Sequence, residues 1–208
     1  MQIVIGLVGP IASGKGTISE YLKSQGFVYF SLSDVVREET VARGLEMSRK
    51  NLQDVGNDLR ENFGGAVLVH RLEERINKQD FVVIDGIRNP EEIFAIKEQF
   101  GGKIITISAY KNRRVERYLE RAKVRGEDTA SIASFKKIDE RDLGKGEDAH
   151  GQQVQACIDL ADFILKNNGT IEEFHQNCRE MLDNFFFQSH NMSFAEVALS
   201  VSKIEISS

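Results

Sequence analysis

The sequence has few of the residues on which metal-binding and disulfide-rich proteins depend. It contains no tryptophan, two prolines, two cysteines and four histidines among 208 residues. Cys157 and Cys178 lack metal-ligand spacing and are too few for a disulfide framework, so we expect buried thiols in a reducing cytoplasm. The histidines form no His-x-x-x-His or Cys/His cluster, which predicts that the protein binds no zinc.

Long hydrophobic runs are also absent. No apolar stretch approaches the roughly 20 residues needed to span a bilayer, and the apolar start lacks the basic lead-in and cleavage site of a signal peptide. The net charge of −5 argues against nucleic-acid binding through bulk charge. We therefore expect a cytoplasmic protein with no membrane or nucleic-acid partner and with one main domain.

Five short apolar runs alternate with segments of helical spacing. Several runs are rich in β-branched residues and continuously apolar, as strands buried on both faces are. This alternation predicts an α/β fold with a mainly parallel sheet. The long helical segments after the second and fourth runs are expected to form lobes over the ligand-binding edge of that sheet. The predicted strands are residues 3–8, 27–32, 81–85, 103–108 and 162–166.

A glycine-rich loop, GPIASGKGT, follows the first predicted strand and begins a predicted helix. The phosphate-binding pattern G-x-x-x-x-G-K-[ST] requires Ser or Thr after its lysine, whereas Gly16 stands there and Thr17 follows. Backbone N–H groups of such a loop surround phosphate oxygens, and the helix N-terminus adds partial positive charge. Lys15 is expected to reach the β- and γ-phosphates. The predicted phosphate-binding residues are Gly9, Ala12, Ser13, Gly14, Lys15, Gly16 and Thr17.

The GKGT form of the loop resembles that of adenylate kinase and related nucleoside monophosphate kinases. The resemblance implies a three-layer P-loop NTPase fold with sheet order 2-3-1-4-5, helical acceptor and lid lobes, and the use of ATP with Mg²⁺. The sequence departs from adenylate kinases at Ala12, where they usually have glycine. Asp85, which ends the run FVVID, is expected to hold magnesium with Thr17, largely through water. The alternative for Asp85 is a surface carboxylate that caps its strand.

Two short segments resemble acceptor-binding elements of these kinases. SLSDVVREE is similar to the Asp-Leu-Leu-Arg element that binds the monophosphate, which implies that Asp34 and Arg37 bind substrate. The alternative for this segment is an ordinary helix N-terminus capped by Ser33. DGIR resembles an Asp-Gly-Phe-Pro-Arg stretch with Arg88 one place early, which implies that Arg88 contacts the phosphate of the acceptor; a surface arginine is the alternative. Arg60, in a glycine-bounded segment, is assigned to the acceptor-side lobe.

The segment KNRRVERYLERAKVR, residues 111–125, predicts an amphipathic helix with one basic face. Phosphoryl transfer needs positive charge around the transferred group, and kinases often supply it from a closing lid. We assign the lid to residues 111–150 and expect Arg121 and Arg125 to be catalytic, with Arg141 on its return side. The alternative for these arginines is a solvated helix face.

The segment ADFILKNNGTIEEF, residues 161–174, is similar to the ending of dephospho-coenzyme A kinases and related archaeal P-loop proteins. In those proteins the turn, here Asn168 and Gly169, lies beside adenine; turn chemistry before a helix capped by Thr170 would also explain it. The kinase-like domain is therefore expected over residues 1–187. The tail, residues 188–208, resembles the opening helix of deoxycytidylate deaminases, some of which are fused to such domains. A simple terminal helix is the alternative.

These features together predict an enzyme that transfers a phosphoryl group from ATP to a (deoxy)nucleoside monophosphate. An anionic phosphate acceptor needs cationic clamps, whereas a hydroxyl acceptor needs a carboxylate base, and Asp34 alone stands where dephospho-coenzyme A kinases have Asp-x-Asp. Hydroxyl phosphorylation with Asp34 as base is therefore one alternative. A non-catalytic nucleotide-sensing domain that acts with a deoxycytidylate deaminase is the other.

Overall fold

A computed structural model of the chain describes residues 2–125 and 131–190, together with Ser193 and Glu196. Most of the predicted tail lies outside these residues, so its resemblance to a deaminase helix stays a prediction. Within the described residues, no helix is long and apolar enough to cross a membrane.

Five parallel strands form the sheet of the described chain, in the order β2-β3-β1-β4-β5. The α/β fold class and the predicted order are thus confirmed, and each observed strand lies within one residue of its predicted bounds. Neighbouring strands are in parallel register, with Ile5 beside Val83 on one side and Lys103 on the other. The strands are β1 Ile3–Val8, β2 Val28–Ser31, β3 Phe81–Asp85, β4 Lys103–Ser108 and β5 Phe163–Lys166.

Helices occupy the connections between the strands. Asn89 caps the helix that begins at Pro90 in a capping box with Glu92, as the Asn-Pro-Glu-Glu sequence favours. The helices are α1 Lys15–Ser24, α2 Leu32–Ala42, α3 Arg49–Phe63, α4 Val67–His70, α5 Glu73–Ile76, α6 Pro90–Phe100, α7 Lys111–Arg125, α8 Ile132–Asp142, α9 Val154–Asp159 and α10 Ile171–His190.

Two hydrophobic cores lie on opposite faces of the sheet. Alternate residues of β1 point to opposite faces, so that Ile5 and Leu7 enter one core and Val4 and Val8 the other. One core packs β1 and its neighbours against α1 and α10 and contains Cys178; the other packs them against helices from α2 to α6 and α9 and contains Cys157. Both cysteines are buried free thiols. The result is the three-layer arrangement that the sequence predicts.

The start of α2 differs from one alternative raised by the sequence. Ser31, not Ser33, is the N-cap residue, and its side chain makes no capping hydrogen bond. The helix therefore begins directly where β2 ends, which leaves Ser33 inside the first turn and beside Gly86 of the next strand connection. The first turn of α2 consequently lies at the carboxyl edge of the sheet.

Candidate active site

A cleft of about 1020 Å³ lies over the carboxyl ends of the strands. It is bounded by the P loop, the first turn of α2, one face of α3, the end of β3 and the middle of α7. Open α/β sheets bind ligands at this edge because their connecting loops meet there. The acidic and basic residues that line the cleft are Lys15, Asp34, Arg37, Arg60, Asp85, Arg88, Arg117, Glu120, Arg121 and Asp142.

The P loop runs from β1 into α1 in a conformation that requires its glycines. Gly14 caps α1 with φ 110°, and a Cβ there would lie 2.0 Å from Asn167 Nδ2. Gly9 has φ 149°, and a Cβ there would lie 2.4 Å from the carbonyl oxygen of Ile107. At Gly16, by contrast, an added Cβ would meet no atom within 4 Å. The unusual glycine of the loop thus faces open space at the mouth of the cleft.

Lys15 extends along the loop from the first residue of α1. Its Nζ donates hydrogen bonds to the carbonyl oxygens of Gly9, at 2.6 Å, and Pro10, at 3.4 Å. Burial lowers the pKa of Lys15 from its ordinary value; Arg88 lowers it further, while Asp85 raises it. The carbonyls therefore hold an ammonium group that an anionic ligand in the cleft would attract strongly.

Asp85 lies at the end of β3, beside the P loop and at the cleft surface. Its Oδ1 accepts a 2.6 Å hydrogen bond from the backbone N–H of Gly86, and its Oδ2 lies 3.5 Å from the hydroxyl of Tyr29. Burial and the Asp85 charge raise the pKa of Tyr29. Thr17 lines the same part of the cleft. One carboxylate and one hydroxyl are thus available to a cation at the donor phosphates.

The first turns of α2 bring Asp34 and Arg37 to the surface of the cleft. Arg37 Nη1 donates to Asp34 Oδ1 along the helix, and both side chains are about half exposed. An arginine in this position can bind a phosphate with two parallel hydrogen bonds. The structure brings both predicted residues into the cleft, and their role in binding substrate stays a prediction.

Arg88 is held by more groups than the sequence indicated. Its backbone N–H donates to Glu92 Oε2 at 2.7 Å, and its carbonyl accepts from Gln153 N–H at 2.7 Å. Its Nη1 lies 3.2 Å from Gln152 Oε1 and 3.5 Å from Asp142 Oδ2. Asp142 and Gln152 also line the cleft, yet neither belongs to a motif that sequence reasoning could recognise.

Arg60 reaches the wall of the cleft, but its guanidinium is engaged by protein groups. Nε and Nη2 donate to Glu92 Oε1 at 3.0 and 2.9 Å, and Nη1 donates to the carbonyl of Gly56 at 3.2 Å. Arg60 is 3% exposed and Glu92 is fully buried. The contacts of Arg60 are those of a structural ion pair beneath the cleft, and its assignment to substrate stays a prediction.

This ion pair yields a stability prediction. Glu92→Gln leaves the Arg60 charge buried without its counterion, so we expect the free energy of unfolding to fall by about 3 kcal/mol. Urea denaturation followed by circular dichroism measures this change. Glu98→Gln, at an exposed position of the same helix α6, is the matched control and should change stability by less than about 0.5 kcal/mol. Equal stability of the two variants would show that the pair is not a structural anchor.

The predicted lid arginines do not share one environment. Arg121 lines the cleft, whereas the side chain of Arg125 lies outside the described part of the chain. Arg141 does not line the cleft: it donates to Gln53 Oε1 of α3 and to Glu147 Oε1, both at 2.5 Å. It therefore lies against α3, and its assignments to the lid and to substrate binding stay predictions.

Two further arginines of the basic face of α7, which the sequence analysis did not assign to the site, contact the P loop. Arg114 Nη1 donates to the carbonyl of Ile11 at 3.3 Å, and Arg117 Nη1 donates to the carbonyl of Ser13 at 3.3 Å. Arg117 Nη2 also donates to the carbonyl and Oδ1 of Asn167, at 3.0 and 3.1 Å. The basic periodicity of the helix signals these residues, but not what they contact.

The turn after β5, which contains Asn167, Asn168 and Gly169, lies beside the P loop. Asn167 Nδ2 donates to the carbonyl of Ser13 at 2.9 Å, and Asn168 Oδ1 accepts from the N–H of Tyr110 at 2.7 Å. Thr170 caps α10 reciprocally with Glu173. Asn168 and Gly169 do not line the described cleft, and their contact with adenine stays a prediction.

Comparison with known proteins places this architecture in a family. A family model described as an AAA domain matches residues 8–136. A UPF0200 protein of Methanosarcina mazei is 32% identical over 187 residues, which cover 89% of this chain and 96% of that protein. A UPF0200/UPF0201 protein of Archaeoglobus fulgidus is 33% identical over 185 residues, and there the chain spans only 54% of its relative.

Solved structures show the same fold at low sequence identity. A gluconokinase from Sinorhizobium meliloti superposes with a TM-score of 0.53 at 14% identity, over 90% of this chain and 97% of that one. A dephospho-CoA kinase from Campylobacter jejuni gives 0.50 at 21% identity, over 92% and 100%. The chain therefore belongs to the UPF0200 family and carries a P-loop kinase-like domain of the AAA-domain family.

Proposed function

We propose that the protein is a nucleotide kinase that transfers a phosphoryl group from ATP to a nucleoside monophosphate or deoxynucleoside monophosphate. The observation that carries the proposal is that a P loop and a second set of arginines, Arg37 and Arg88, line one continuous cleft. A phosphate-binding loop alone suits any nucleotide-binding protein. Further arginines that line the same cleft suit a second anionic substrate. A cytoplasmic location is part of the same proposal.

The donor side of the cleft fits the phosphates of ATP. The open space at Gly16 and the ammonium group of Lys15 favour polyphosphate there, and Arg121 adds charge from α7. No cluster of three His, Cys, Asp or Glu side chains occurs in the described ranges. Mg²⁺ would therefore be held by the nucleotide and by Thr17 and Asp85 through water. When bound, it would neutralise phosphate charge during transfer.

On the acceptor side, α2 and α3 pack closely against each other. Val36 of α2 and Leu52 and Gly56 of α3 line the cleft there. A Cβ at Gly56 would lie 3.5 Å from Arg60 Nη1 and 3.6 Å from Val36 Cγ2, which is ordinary contact distance. A methyl group at this position would consequently narrow the acceptor side of the cleft without displacing its neighbours.

Hydroxyl phosphorylation is the second candidate because Asp34 lines the cleft. A carboxylate can serve as general base for a hydroxyl group. In this structure, however, Asp34 Oδ1 accepts a hydrogen bond from Arg37 Nη1 of the same helix, so one oxygen of the carboxylate is already engaged. This pairing suits a phosphate-binding site better than a base that must approach a hydroxyl.

A substrate panel tests the proposal. ADP release from Mg-ATP is measured against ribonucleoside and deoxyribonucleoside monophosphates and dephospho-coenzyme A. Stimulation by one monophosphate is the expected result and identifies the acceptor. Stimulation by dephospho-coenzyme A alone would favour the hydroxyl reaction. ATP binding without any acceptor-dependent turnover would contradict the proposal and favour a nucleotide sensor.

The close packing at Gly56 gives a second prediction. Gly56→Ala should raise the KM of the acceptor about fivefold while the KM of ATP stays the same, because the added methyl group narrows only the acceptor side. Glu61→Ala, on the exposed face of the same helix, is the matched control and should change neither constant. An unchanged acceptor KM in Gly56→Ala would show that the acceptor does not lie against α3.

A further inference from the structure

We propose that Arg114 and Arg117 of α7 are positioning residues that hold the P loop in the conformation that binds phosphate. The inference rests on the proposed function only in naming the ligand as a nucleotide. Its basis is a pair of backbone contacts on either side of Ala12. Ala12 has φ 60° and is the one non-glycine residue with positive φ among those the structure describes.

The two arginines donate hydrogen bonds to the carbonyl groups on either side of Ala12. Arg114 binds the oxygen of Ile11 and Arg117 binds the oxygen of Ser13, each at 3.3 Å. They are separated by three positions and therefore lie on one face of α7. Asn167 adds a second hydrogen bond to the Ser13 oxygen at 2.9 Å. Both carbonyls thus point towards groups outside the loop.

Because peptide groups are planar and trans, the direction of each carbonyl fixes the direction of the N–H group in the same peptide. No described peptide is cis, so the N–H of Ala12 points opposite to the Ile11 carbonyl, and the N–H of Gly14 opposite to the Ser13 carbonyl. When the arginines hold the carbonyls towards α7, the paired N–H groups face away from it. An anion-binding loop requires backbone N–H groups that are free to point at the ligand while their carbonyls are turned away.

The conformation of Ala12 explains why the loop needs the hydrogen bonds from Arg114 and Arg117, which together we call the clamp. The left-handed conformation is costly for an L-residue with a Cβ and costs glycine almost nothing. A loop with alanine there needs external contacts to stay in this conformation. The hydrogen bond from Ser13 N–H to the Pro10 carbonyl, at 3.2 Å, is its one described internal backbone bond between residues 10 and 13.

Arg114 is itself firmly anchored, which allows it to position another group. It is 7% exposed, and its Nη1 and Nη2 bind both oxygens of Asp139 in α8 at 2.5 and 3.2 Å. Its guanidinium also lies 5.5 Å from the ring centroid of Phe135. The clamp therefore joins the P loop to the α7–α8 pair, and α7 also carries Arg121 into the cleft.

A double-mutant cycle tests the proposal. The dissociation constant of ADP is measured by calorimetry for Arg117→Gln in the native chain and in the Ala12→Gly background. We expect Arg117→Gln to weaken ADP binding about tenfold in the native chain and about twofold beside glycine, because glycine keeps the loop conformation without the clamp. Arg113→Gln, an exposed position on the same helix whose side chain pairs with Glu116, is the matched control and should leave ADP affinity unchanged.

Equal losses in both backgrounds would overturn the proposal, since they would mean that Arg117 acts by touching the nucleotide. Arg114→Gln combined with Asp139→Asn, which removes both buried charges together, should show the same dependence on residue 12. Amide exchange of Ser13 by NMR in the nucleotide-free protein provides a separate readout. Faster exchange in Arg117→Gln would support the clamp even if the protein did not bind ADP. A failure to bind ADP would count against the proposed function and not against the clamp. Unchanged exchange in Arg117→Gln would count against the clamp.

Discussion

Lys15→Met is expected to reduce phosphoryl transfer about a thousandfold or more, because it removes a preorganised cation from the donor phosphates. The folded state should survive this change. Burial already lowers the pKa of Lys15, so the site disfavours the charged form, and the methionine side chain has a similar length. We expect the free energy of unfolding to change by about 1 kcal/mol or less. Initial rates with the acceptor identified by the panel, together with urea denaturation, measure both effects.

Lys23→Met is the matched control for this experiment. Lys23 lies in the same helix and forms an exposed pair with Glu20, so its loss should affect neither the rate nor the stability appreciably. A Lys15→Met variant with a native rate would remove the assignment of the P loop to catalysis. A variant that fails to fold would show that the contacts of Nζ with Gly9 and Pro10 are structural.

Asp85→Asn is expected to lower kcat about a hundredfold and to raise the Mg²⁺ concentration needed for half-maximal rate. The asparagine Oδ1 can still accept the hydrogen bond from Gly86 N–H, so the end of β3 should keep its shape. Loss of the carboxylate charge removes repulsion towards phosphate. ADP should therefore bind the variant at least as tightly as the native protein when magnesium is absent, as calorimetry with EDTA would measure.

Asp159→Asn, at an exposed residue that pairs only with Gln155 among the described contacts, provides the control. It should leave the rate and the magnesium requirement unchanged. If Asp85→Asn behaves like this control, Asp85 caps its strand and takes no part in holding the metal. Weaker ADP binding without magnesium would instead indicate that the substitution has distorted the loop.

The sheet could be predicted from the sequence because its signal is local. Continuous apolar runs rich in β-branched residues mark buried parallel strands, and the glycine loop marks the turn from β1 into α1. The strand order came from a family resemblance, since no local pattern states which strands are neighbours. The start of α6 is likewise marked by a local signal, because Pro90 and the acids of the first turn favour a helix N-terminus.

The residues of the site could be predicted only where they belong to a recognisable sequence motif. Arg60 and Glu92 are 32 positions apart, and no spacing rule indicates that they form an ion pair. The basic face of α7 is visible in the sequence as a periodic pattern, but periodicity does not show that Arg114 and Arg117 contact backbone carbonyls of the P loop. Asp142 is the last residue of α8 and is buried, whereas the sequence alone would place an acidic side chain in solvent. Tertiary contact decides each of these cases.

The two buried thiols allow the opening of each hydrophobic core to be followed separately. Cys157 of α9 lies in one core and Cys178 of α10 lies in the other. Burial raises the pKa of both thiols, so neither should react with a thiol reagent while its core is closed. Mass spectrometry can measure the rate of modification of each cysteine, and each rate would report how often the core on that face of the sheet opens. Equal rates would mean that the domain opens as one unit, and unequal rates would reveal which layer loosens first.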